Sequence, residues 1–168
     1  MAASAFTGRA ARRRDLLKAV ALAPVALVVR PEPAAAIDYA SPGEALTAID
    51  GLEAEVAFRL RALGASGSSA RAFTSSLVRD LEAHGRARDQ LRLRLGVGAR
   101  SPANETVEDA LDLEGLRAAQ EKLTYAHAEA LPALGDPQAV HLLAGHLVDL
   151  SRHLTLVGLW IEAEERRG

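Results

Sequence analysis

The sequence predicts an all-α fold, an antiparallel four-helix bundle, and three observations predict it. Apolar residues recur at alternating three- and four-residue steps through four separate segments, the stripe that a packed helix needs. The segments are divided by Gly, Pro and Ser clusters that no helix continues through easily. Of the 168 residues, 49% are hydrophobic but only 4% aromatic, so Leu, Val and Ala must build the core. That composition favours helices, because strands prefer β-branched and aromatic side chains. The length suits one domain behind a leader.

The leader comes first. Arg13-Arg14-Asp15-Leu16-Leu17-Lys18 has the order of a twin-arginine export motif. The apolar run 19–29 follows; its 11 residues are too few to span a membrane, which takes about 20. Pro31 and Pro33 break it, and Ala34-Ala35-Ala36 offers a small-residue cleavage site before Ile37. Residues 1–36 thus read as a twin-arginine-type signal peptide and 37–168 as the folded domain, with no transmembrane segment in the mature protein. The expected location is the bacterial periplasm or extracellular space. A thylakoid lumen is the alternative, although 11 residues before Arg12 are few for a transit peptide.

Ser41-Pro42-Gly43-Glu44 reads as a capping box that opens the first helix. Leu46, Ile49, Val56, Leu60 and Leu63 form its stripe, and Gly64 is expected to stop it. Gly67-Ser68-Ser69 reads as a turn and cap for the second helix, with Phe73, Leu77, Leu81, Leu91 and Leu95 inward. Gly96, Gly98, Pro102 and Asn104 mark the longest loop. The third helix is expected near Glu105, where Glu105, Glu108 and Asp109 suit the positive end of a helix dipole. Leu113, Leu116, Leu123, Ala130 and Leu134 form its stripe, and Pro132 should end it. Asp136-Pro137 caps the fourth helix, which runs to about Glu165 with Leu143, Leu147, Leu150, Leu154, Val157 and Ile161 inward.

Charge and motifs exclude several functions. The first 36 residues hold six basic residues and two acids, which leaves 14 against 20 in the remainder, a net charge of −6. Nucleic acid is therefore not an expected partner, since backbone phosphates call for a basic footprint. The absence of cysteine removes disulfides, thiolate metal sites and Cys nucleophiles. No Gly-rich phosphate loop, nucleophile elbow or H-E-x-x-H motif is present, so hydrolase or transferase chemistry finds little support.

The polar residues that interrupt the stripes carry the functional reading. Glu53 stands between Ile49 and Val56 where Leu would be expected, and His84 lies seven residues from both Leu77 and Leu91. Gln120 and His127 lie on or beside the third stripe, with Glu121 and Tyr125 at its edge. His146, Asp149 and His153 share one face of the fourth helix. Buried carboxylates and imidazoles are costly unless paired or metal-bound. The two outer histidines are about 10 Å apart along the helix, so one ion could not bridge both unaided. Glu53 has Arg59 and Arg88 as alternative partners. The Arg86, Arg88, Arg92, Arg94 series reads as the solvated face of the second helix.

With its helix order and loop lengths, the chain resembles the ferritin-like superfamily, in particular exported bacterial ferritin-like domain proteins with twin-arginine signals. The local similarities are Leu52-Glu53-Ala54-Glu55, Gln120-Glu121 with Tyr125, and Asp149-Leu150-Ser151-Arg152-His153. Members that bind two metals use a Glu on each of two helices and a Glu-x-x-His pair on each of the others. Here Glu53, Glu121 and His153 match, but Leu150 stands where His153 would have its Glu partner. On the second helix only Glu82-Ala83-His84 is present, and two-residue spacing turns the side chains about 200° apart. The resemblance therefore implies an altered site for iron or manganese on Glu53, His84, Glu121 and His153, with Asp149 and His146 as second choices, or no metal. Two functions follow as expectations. One is an exported ferritin-like metal-binding protein. The other is a metal-free helical accessory or interaction protein of the periplasm or thylakoid lumen, with a protein partner or a second copy of itself.

Overall fold

The computed structural model describes residues 38–65, 67–100 and 112–166. Among these the chain is all-helical, with four α-helices: α1 (Pro42–Ala65), α2 (Ser68–Leu95), α3 (Leu113–Ala130) and α4 (Pro137–Glu165). The expected signal peptide and the expected start of the third helix near Glu105 lie outside the described residues. The third helix begins, within them, at Leu113.

Local chemistry explains each boundary. The Ser41 hydroxyl accepts the Glu44 N–H at 3.2 Å, and the Glu44 carboxylate returns to the N–H of Ala40 at 3.0 Å, one residue short of a reciprocal box. Gly64 does not stop α1, which continues to Ala65. Gly64 is buried against α2 instead, where a Cβ would stand 2.3 Å from the Thr74 hydroxyl. Its role is close approach, not termination. Gly67 is the N-cap of α2, so Ser68 opens the helix. Gly96 ends α2 in the left-handed region (φ 65°), where a side chain would be strained. Asp112 and Asp136 cap α3 and α4 through the N–H groups of Gly115 and Ala139. Pro132 confines α3 to Ala130, after which Leu131–Ala133 tightens into one 3-10 turn.

The stripes meet in one core. Leu46, Ile49, Val56 and Leu60 of α1 are fully buried, as are Leu116 and Leu123 of α3 and Leu143 and Val157 of α4. Each such side chain contributes about 1.5–3 kcal/mol. The inner face of α3 is rich in alanine (Ala119, Ala126, Ala130), which lets neighbouring backbones come close. Accordingly α1 packs broadly against α2 and α3, and α4 against α3, whereas the α2 and α4 backbones approach at few points. Rings span that wider gap: Phe73 meets Trp160 edge-on at 5.0 Å, and His84 stacks on His146 at 4.0 Å. No described helix is long and apolar enough to cross a membrane.

Candidate functional site

Asp50 and Glu53 are three residues apart on α1, and Arg88 and Arg92 are four apart on α2, so each pair shares a helix face. The two faces meet. Arg88, with 0% of its surface exposed, donates from Nε to Asp50 Oδ1 at 2.9 Å and from Nη1 to Glu53 Oε1 at 3.0 Å. Its Nη2 donates to the second Glu53 oxygen, so the carboxylate is gripped by both arms of the fork. Arg92 donates to Asp50 Oδ2 at 2.7 Å and to the Gly98 carbonyl at 3.1 Å. Arg100 closes the group from the following loop, 3.0 Å from Asp50 and 3.6 Å from Glu53. Two buried guanidiniums, Arg88 and Arg92, and the partly exposed Arg100 thus face two buried carboxylates.

Burial pushes the Asp50 carboxyl up, but Arg100, Arg88 and Arg92 outweigh it and hold it below the usual carboxylate range. For Glu53 burial dominates the pairing with Arg88 and raises it. Glu53 is therefore the first of the two to take up a proton as pH falls.

The histidines form a second cluster. His84 and His146 stack with planes 19° apart, and His127 stands edge-on to His146 at 6.1 Å. His127 Nδ1 lies 3.0 Å from the Leu123 carbonyl, which can only accept, so that nitrogen carries the ring proton. His84 Nε2 faces Asp149 at 3.4 Å, and His153 Nε2 faces Asp80 at 3.1 Å. His84 Nδ1, His127 Nε2, His146 Nδ1 and His153 Nδ1 are buried without a hydrogen-bond partner among the described residues, as are both amide atoms of Gln120. Burial lowers the four rings. His127 falls to about 4 and His146 to about 3, with the Arg88 charge adding to both. These imidazoles are neutral at ordinary pH.

The structure does not gather the four expected ligands. Glu53, His84 and His153 are buried, but Glu121 is exposed and accepts from Arg117 one turn earlier at 3.0 Å. Glu53 faces Arg88, His84 faces His146 and Asp149, and His153 faces Asp80. Among the described residues no group of three or more His, Asp or Glu could hold a metal ion. Both Glu53 oxygens are engaged by Arg88, and lone pairs on near-parallel stacked rings do not converge on one point. The described residues do not fit an iron or manganese centre. Comparisons with family models, with curated proteins and with solved structures find no match.

The solvated arginine face is corrected as well. Arg86 and Arg94 are exposed, but Arg88 and Arg92 are buried. Asp50, Arg92 and Arg100 had no place in the expected site. The signal for them was present: Arg88 lies four residues after His84 and three before Leu91, on the inward stripe, with two acids one turn apart on the preceding helix.

Proposed function

We propose that this chain is an exported accessory protein built as an antiparallel four-helix bundle on a ferritin-like plan. In it arginine, and not a metal ion, neutralises the core carboxylates. The observation that carries this reading is the fully buried guanidinium of Arg88 between Glu53 and Asp50. Bundle cores of the metal-binding kind place carboxylates around cations. Here the cation is part of the chain, and its charge cannot be removed by any chelator.

The helix directions support the plan. Gly43 lies against Val97, Asp50 meets Arg92, Arg61 meets Glu82 and Gly64 lies against Thr74, so numbers rise along α1 as they fall along α2. Phe73 with Trp160, Asp80 with His153, and Arg94 with Asp136 give α2 and α4 the same opposition. The single 3-10 turn reverses α3 into α4, so α2 and α3 run the same way. A second and third helix that run parallel are a ferritin-like trait. The twin-arginine motif supports the exported location, and with Glu53 held by Arg88 the outer helix faces become the working surfaces.

The test is metal content by mass spectrometry on the protein isolated from its exported compartment. Folded wild type with far less than one equivalent of iron, manganese or zinc is the expected result. Near-stoichiometric metal that disappears in Glu53→Ala/His153→Ala would overturn the reading. A complementary arm uses Arg88→Ala, whose stability should become dependent on added manganese if the guanidinium stands in a cation's place.

A further inference from the structure

We infer that the cleft between the end of α1 and the first turns of α2 binds a phosphate group. The cleft measures about 420 Å³ and takes Arg61 from α1 and Arg71, Ser75 and Arg79 from one face of α2. Its one acid, Glu82, accepts from Arg61 at 3.2 Å. Arg71 and Arg79 have no ion-pair partner among the described residues. They stand eight residues apart, about 12 Å along the helix, with Ser75 between them. Both guanidiniums are exposed on the same helix face, where an anion in the cleft is attracted by each. The charge is local, because the rest of the domain is acidic.

The floor of the cleft is built for close approach. Thr74 is buried there, and Gly64 leaves room for its hydroxyl where any Cβ would collide. Guanidiniums lining one cleft from two helices, with a serine hydroxyl beside them, suit a tetrahedral oxyanion with several acceptor oxygens. The volume exceeds that of inorganic phosphate. A phosphate carried on a larger molecule fits the cleft better, either a soluble monoester or a lipid headgroup. The headgroup version would hold the protein at a bilayer surface.

The experiment titrates the isolated protein with inorganic phosphate by calorimetry, and in parallel floats it with neutral vesicles and with vesicles containing phosphatidylglycerol. Arg71→Gln/Arg79→Gln should weaken binding at least about tenfold, the loss expected for removing charge-assisted contacts. Arg71→Lys/Arg79→Lys should restore part of it. The control, Arg117→Gln/Arg166→Gln, removes two exposed charges elsewhere and should match wild type. Phosphate binding assigns a soluble ligand, and vesicle binding alone assigns a headgroup. The inference is overturned by no saturable binding of either probe up to about 10 mM phosphate, or by equal loss in the control.

Discussion

The two polar seams of the molecule solve one problem in opposite ways. Between α1 and α2, permanent charges are buried in pairs: Arg88 and Arg92 against Asp50 and Glu53, with the partly exposed Arg100 at the edge. Between α2 and α4, the buried groups are imidazoles that stay neutral, and their carboxylate partners stand half in water, with the Asp149 side chain 45% exposed. A guanidinium cannot shed its charge, so it must be paired. A histidine can shed its charge, so incomplete pairing is tolerated. The first seam should be the less tolerant of deletion; the second should be the more destabilised by acid.

Deletion at the first seam is expected to have the largest effect. Arg88→Leu leaves Glu53 and Asp50 buried with one guanidinium fewer, and should cost about 3–5 kcal/mol by urea denaturation. A loss below about 1 kcal/mol would mean the pair is hydrated in solution.

Acid should act on the second seam. His127 and His146 titrate near 4 and 3 when folded, against about 6.5 in an unfolded chain. The unfolded state then binds more protons, so stability is complete above about pH 6.5 and declines as pH falls toward the folded values. Each ring should remove about 1–2 kcal/mol between pH 6.5 and 5. His127→Phe should flatten the profile by one such share. An unchanged slope would show that these rings are not the acid-sensitive groups.

A packing change sharpens the contrast further. Gly64→Ala forces a methyl against the Thr74 hydroxyl, with an expected cost of about 1–3 kcal/mol. In a Thr74→Ala background the penalty should vanish and the better helix propensity should show through, about 1 kcal/mol. The smallest effect belongs to Asp149→Asn. With a half-exposed partner it should change stability by less than about 1 kcal/mol. It should also lower the His84 titration further, readable by NMR; no movement would place Asp149 outside His84's influence.

Much of this was legible before any coordinates. The four stripes, Gly96, Pro132 and the Asp136-Pro137 cap sufficed for the presence of four helices, because periodicity and capping are local properties; Gly64 was misread as a stop. The inward placement of Glu53, His84, His146 and His153 was legible for the same reason. Of their partners only Arg88 was, as one of two alternatives for Glu53. A seven-residue repeat tells which face Glu53 occupies but not which residue of α2 stands opposite, since that depends on helix register. Arginine composition also misled. Arg88 and Arg92 sit among exposed Arg86 and Arg94, and a long charged side chain on a helix is read as solvated unless its counter-ion is already known. Glu121 failed for a smaller reason: it lies one residue from buried Gln120, and a rotation of about 100° carries it to the surface.

The chain has a single tryptophan, and its place gives the molecule a built-in optical reporter. Trp160 rests against Phe73 and donates its indole N–H to Glu164 at 3.2 Å. Phe73 is 15 residues from Arg88, about 22 Å along α2. Its emission therefore reads the end of the fold that holds the arginine cleft and is nearly blind to the ion-paired centre. Fluorescence and far-ultraviolet dichroism recorded together would separate loosening of that end from loss of the whole helical core.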